Sequence, residues 1–327
     1  MIRKTSSALF MTTMLVGALS SVGAQADWKG WNIHTEDYPV SHAMEFFITE
    51  ADKRTEGRVS GRVYNNAVLG SQEDAISQMQ IGGIDFAGFN LGPLGASVPE
   101  VNVVSLPFIF KDVEHMHRVM DGPVGQSLSD AMAKTGVISL AWYDSGARSF
   151  YNTSKAIHSP ADIQGMKFRV MNNDLYVGMV EALGGNATPM AYSEVYQSLK
   201  TGVVDGAENN WPSYESSNHY EVSPYYSATQ HLILPECLCV STTAWKKLSV
   251  EDQETLKKVA RESATLQRDL WAKRDLKSKQ AVLDAGVNYN EIDDKSAFQS
   301  AMKPVYEMAI KKNPALAPIV KEIQATP

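Results

Sequence analysis

The sequence predicts an α/β protein of two domains, joined by several crossings of the chain and braced by one long helix. Three observations carry this. A β-α-β-α-β order of patterns runs over residues 27–87 and again over 166–207, as in a helix-covered, mostly parallel sheet. No Ser/Gly-rich linker, repeat or low-complexity tract separates the two, so they are not joined by a single tether. A helical pattern over residues 250–285 runs for 36 residues without proline. That is roughly 54 Å at the α-helical rise, longer than one small domain.

Residues 1–26 read as an export leader. Arg3 and Lys4 form a basic start, residues 8–19 are mostly apolar, and Ala24-Gln25-Ala26 is a small-residue cleavage site before Asp27. The apolar run is too short for a stable membrane span, and no other stretch approaches one. The mature chain is expected to begin at Asp27, exported and soluble. Its 301 residues suffice for two α/β domains. Loss of Arg3 and Lys4 moves the formal charge from -7 to -9. That balance argues against nucleic acid as a partner. It leaves room for an anionic ligand, because two buried arginines dominate a local field. The two cysteines, Cys237 and Cys239, would favour a disulfide in an oxidising compartment. On a strand, however, i and i+2 lie about 6–7 Å apart, which would strain the bridge. Two buried free thiols are expected instead.

In the first domain, residues 27–34 begin a strand. Residues 40–54 read as a helix, with Ala43, Phe46, Phe47 and Ala51 on one face. Residues 59–64 alternate as a second strand. Ser71 caps the next helix, with Asp74 three residues on. Gly82-Gly83 closes that helix, and residues 84–87 form a third strand. A Gly- and Pro-containing loop over 89–100 and an apolar run over 103–110 precede helices over 112–120 and 124–134. Residues 137–143 are a strand leading into the stretch 143–171.

That stretch holds Arg148, after Ser145-Gly146-Ala147, and Arg169, inside the alternating strand 166–170. Met166, Phe168 and Val170 face one way there, and Lys167 and Arg169 the other. Ser159-Pro160 starts a short helix. Two guanidiniums on rigid elements can clamp a carboxylate; the spacing alone also fits two ordinary ion-pair arginines. The second domain continues with a helix over 174–183, a short strand near 187–189, a helix over 194–200 capped by Ser193, and a strand over 203–207. Residues 231–242 are β-rich and cross back to the first domain. Ser249 with Asp252 caps the long helix, though two helices meeting at an unsignalled kink would satisfy the same pattern. An extended piece over 287–290 follows, then a helical stretch over 294–311 that should break at Pro304.

Enzyme signatures are absent: no G-x-S-x-G, H-E-x-x-H or G-x-G-x-x-G occurs. His115 and His117 point to opposite sides of a helix and cannot share a metal. Glu208-Asn209-Asn210 lies at a strand end, where open α/β sheets bind ligands, and asparagine both donates to and accepts from sugar hydroxyls. Taken alone it reads more readily as a polar turn. Glu73 opens a helix, His34 and Asn90 each follow a strand, and Trp211 and Tyr214 serve either ligand stacking or packing.

DSGARSFYN, GMKFRV and GAENNWPSY together resemble the solute-binding proteins of tripartite ATP-independent periplasmic (TRAP) transporters. The likeness covers essentially the whole mature chain. HTEDYP at 34–39 and HYEV at 219–222 match the branch that binds hexuronates. Phe86 to Asn90 departs most from that branch. The resemblance implies a two-domain periplasmic binding protein, with residues 27–144 and 237–270 in one domain and 145–236 and 271–327 in the other. The ligand cleft would lie between them. It implies that Arg169 makes the main salt bridge to the ligand carboxylate, with Arg148 beside it and Asn209 as a polar contact. Glu73, Asn90, His34 and Tyr214 are the further expected contacts. It implies a monomer without cofactor or reaction that delivers a sugar acid, D-glucuronate or D-galacturonate, to membrane permease subunits. A sensing subunit of the same fold, and a sugar-acid enzyme lacking recognisable machinery, are the alternatives.

Overall fold

The computed structural model describes residues 26–327, so the expected leader lies outside it except for Ala26, which opens the first strand. In chain order the strands are β1 (Ala26–Trp31), β2 (Val59–Tyr64), β3 (Phe86–Asn90), β4 (Val137–Asn152) and β5 (Lys167–Val170). They continue with β6 (Asn186–Pro189), β7 (Gly206–Asn209), β8 (Tyr225–Ser241) and β9 (Asn288–Glu291). All nine belong to one sheet, ordered β2-β1-β3-β8-β4-β7-β5-β6, with β9 on β8.

The sheet is mixed, which corrects the mostly parallel expectation. β2, β1 and β3 are parallel, as are β7, β5 and β6. β4 and β8, of 16 and 17 residues, run antiparallel to each other and insert between these triplets. The parallel triplets follow from the local β-α-β patterns. The insertion of β8 depends on pairing with β3 and β4 across long sequence separations, for which the local pattern carries no signal.

β4 carries an irregularity between Asp144 and Ala147 where it passes from one half to the other. Gly146 has φ +61° there, and a Cβ would come within 2.8 Å of the Trp271 indole nitrogen, so only glycine fits. Trp271 lies on the helix Val250–Asp284, which is continuous for 35 residues without the kink. This helix braces both halves. Arg54 of the helix Pro39–Arg54 pairs with its Glu262 at 2.6 Å. Its Arg274 reaches Asp37 at 2.9 Å and Glu215, in the other half, at 2.7 Å.

Several local expectations meet a different structure. The apolar run 103–110 begins inside a 3-10 turn, Pro99–Ser105, that buries Val101, Val103 and Val104. Ser193 does not cap a helix; it sits inside the 3-10 turn Tyr192–Glu194, and the helix Val195–Lys200 follows directly. The C-terminal pattern does break before Pro304, into Ser296–Ala301 and Lys303–Lys312, and a further helix, Leu316–Ala325, ends the chain. Cys237 and Cys239 are joined as a disulfide rather than free. Opposite them β4 holds an extra residue between Ser139 and Ala141, and the cysteine Cα atoms are 5.4 Å apart, closer than a regular strand would hold them.

Candidate functional site

The carboxyl ends of β1, β3, β5 and β7 face a cavity of about 230 Å³, with walls from both halves. Arg169, Arg148, Asn209, Glu73, Asn90 and His34 all line it.

Arg169 stands on β5 between Phe168 and Val170, which turn into the apolar core, so the strand alternation aims it at the cavity. It is 3% exposed. Its Nε and Nη2 both donate to the Met190 carbonyl, at 3.1 and 2.8 Å. Among the described residues no carboxylate lies within 4 Å of it. Three of its five N–H donors are therefore uncommitted. Burial pushes its pKa down, and the Glu208 charge opposes that.

Arg148, on β4, is engaged by the protein itself. Its Nε donates to Glu208 Oε2 at 2.6 Å and its Nη2 to Glu208 Oε1 at 2.8 Å and to the Glu208 carbonyl at 2.9 Å. Its Nη1 donates to Asn209 Oδ1 at 2.7 Å, which leaves one N–H. Burial works to raise the Glu208 pKa. The Arg148 charge, with His231 3.6 Å away, more than reverses this and brings it to about 2.

The two asparagines are oriented by their acceptors. Asn209 Oδ1 takes the Arg148 hydrogen bond and that of the Asn210 amide at 2.9 Å. Asn90 Oδ1 caps the short helix after β3 through Gly92 N at 3.0 Å. With both oxygens held, each Nδ2 is left to donate into the cavity. Glu73 opens the helix Gln72–Gln80 and accepts from Asn172 Nδ2 at 2.8 Å, a hydrogen bond between the two halves. His34 stacks on Tyr38, ring centroids 3.8 Å apart, and its Nε2 lies 3.7 Å from Glu236 Oε1.

Tyr214 does not join them. It is fully buried, donates to the Ser223 carbonyl at 2.6 Å and packs on Tyr151 and Tyr226. In the helix Trp211–Ser216 one residue advances about 100°, so Ser213 lines the cavity and Tyr214 faces the core. Trp211 likewise stacks on Tyr226, at 3.6 Å. Sequence reasoning missed Glu236, Tyr192, Ser213 and Ser145, which also line the cavity. For Glu236 a signal existed: it is the lone acid in the apolar run 232–241. Among the described residues no group of His, Cys, Asp and Glu could hold a metal ion, and no helix is long and apolar enough to cross a membrane.

The chain matches the family model DctP, bacterial extracellular solute-binding protein, family 7, over residues 32–313. A solute-binding protein of Chromohalobacter salexigens is 55% identical over 318 residues, 97% of this chain and 95% of that one. A crystal structure of a TRAP periplasmic solute-binding protein from the same species, with bound D-glucuronate, is 55% identical with a TM-score of 0.91; the match covers 92% of this chain and all (100%) of that one. Another, from Sulfitobacter sp. NAS-14.1 with bound β-D-galacturonate, is 57% identical with a TM-score of 0.89, over 90% of this chain and 98% of that one. The chain belongs to the bacterial extracellular solute-binding proteins of family 7, the solute-binding proteins of TRAP transporters, whose family role is delivery of a captured solute to a membrane permease.

Proposed function

We propose that this chain captures a hexuronate, D-glucuronate or D-galacturonate, with its carboxylate on Arg169. The observation that carries this is the state of Arg169: a buried guanidinium facing the cavity, held by one carbonyl and, among the described residues, paired with no carboxylate. A buried cation left in that state favours an anion that supplies two parallel hydrogen bonds. Arg148 contributes its remaining N–H, and Asn209 and Asn90 donate to hydroxyl oxygens. The uronates bound by the similar proteins support the same ligand class.

The two halves act as domains that close on the ligand. They comprise residues 27–144 with 237–270, and 145–236 with 271–327. The last helix, Leu316–Ala325, is better grouped with the first, because it packs on the Pro99–Ser105 turn and the helix Pro123–Ala133. The mature chain starts at Asp27 in the periplasm and meets its permease as a monomer.

Calorimetry tests the reading. D-Glucuronate or D-galacturonate should bind, and at 100 times its Kd should add about 2.7 kcal/mol of stability. D-Glucose, which lacks the carboxylate, should not compete. Equal binding of glucose and glucuronate would overturn the assignment.

A further inference from the structure

Glu236 is buried to 3% exposure in the cavity wall, yet among the described residues no hydrogen bond reaches its carboxylate. Its ion-pair neighbour, His34 Nε2, is 3.7 Å away, beyond hydrogen-bonding distance. Glu208, behind the cavity wall, is taken by Arg148; Glu73, which also lines the cavity, accepts from the neutral amide of Asn172 and keeps its charge, but it is only half-buried. The backbone of Glu236 is paired on both sides in the middle of the sheet, with Asn90 of β3 and Tyr143 of β4, so its side chain leaves the sheet from a fixed point. Its carboxylate opens on the cavity, so a ligand that displaces water there has to donate to it or leave a buried charge unsatisfied.

The charges can be matched against one another. Arg148 is cancelled by Glu208; among the described residues of the cavity this leaves Arg169 on β5 as a buried cation without a carboxylate and Glu236 on β8 as a buried carboxylate without a hydrogen bond, with β7 and β4 between their strands. A ligand with one carboxylate and hydroxyls at its other end satisfies both. A ligand with a carboxylate at each end sets its second charge against Glu236 in a closed site, where like charges repel strongly.

We propose that Glu236 is the specificity-determining residue of this cavity: it accepts hydroxyl hydrogens at the end of the sugar acid remote from Arg169 and excludes acids that carry a second carboxylate there. This rests on the hexuronate reading above. Selection against a competitor by an unpaired like charge is a common source of discrimination.

The test uses the mature protein at pH 7, titrated calorimetrically with D-galacturonate, galactarate and galactarate monoamide. The last two share one carbon chain and differ by one charge. Wild type should bind the monoamide at least about tenfold more tightly than the diacid. In Glu236→Gln the two should bind within about threefold, and D-galacturonate should bind more weakly than to wild type. Equal binding of monoamide and diacid by wild type would overturn the proposal without any variant. So would a preference unchanged in a Glu236→Gln protein that melts cooperatively. Failure of wild type to bind D-galacturonate would instead count against the hexuronate reading.

Discussion

Arg148 and Glu208 close on each other in the cavity wall through two parallel hydrogen bonds, Nε to Oε2 at 2.6 Å and Nη2 to Oε1 at 2.8 Å. The pair is buried, so the guanidinium that the sequence places beside the ligand is neutralised by the protein before any ligand arrives. Arg169 is thereby left as the cation of the site. Arg148 becomes a fixed support that offers one N–H.

Removing one member of that pair should be expensive. Glu208→Ala strands the Arg148 charge and is expected to cost about 3–5 kcal/mol of stability, read from urea unfolding midpoints. The pH dependence has a definite sign. The folded-state pKa of Glu208 is depressed from 4.5 to about 2. Its contribution is therefore complete above pH 4.5 and is lost as pH falls from there toward 2, on the order of 3 kcal/mol in all. Glu208→Gln should lack that part of the acid loss.

Arg169→Ala should weaken hexuronate binding by about 2–4 kcal/mol, roughly 30- to 1000-fold. Arg169→Lys should recover only part, because an ammonium cannot reproduce the planar fork. Calorimetry on folded variants checks this; Arg169→Ala within threefold of wild type would remove Arg169 from the site.

Glu73 and Asn172 are expected to act as a latch. Their 2.8 Å hydrogen bond joins the two halves beside the cavity. Glu73→Ala and Asn172→Ala should each speed ligand release in stopped-flow measurements, and the double variant should add little to either. A coupling of about 0.5–1.5 kcal/mol is expected. Strictly additive effects would show that the bond plays no part in retention.

Thiol titration in denaturant should find no free thiol before reduction and two after it, because the disulfide consumes both cysteines. Serine at both positions should lower stability by less than a long-loop disulfide would, since the loop that the bond closes is minimal.

What was legible in the sequence was local. The capping box of Ser71 and Asp74, the strand Val59–Tyr64 and the outward alternation of Arg169 all rest on chemistry within a few residues, and the structure has each of them. What was not legible depended on partners far along the chain. Nothing near Cys237 tells that β4 bulges opposite it, and nothing near Tyr214 tells that Tyr151 and Tyr226 are waiting in the core. Arg148 and Glu208 were both singled out, but their engagement needs the register that sets Phe150 against Glu208.

β8 is made late, and the sheet cannot be assembled without it. Its Glu236 pairs with Asn90 of β3 on one side and Tyr143 of β4 on the other, so β3 and β4 have no connection through the sheet until β8 has reached residue 236. A chain in this state is held open by topology. Long-range closures of this kind are slow, because loop entropy is lost before any contact offsets it. The two parallel triplets can each form from neighbouring residues, but they become one sheet, and their strand ends one cavity, only when β8 has taken its place between β3 and β4.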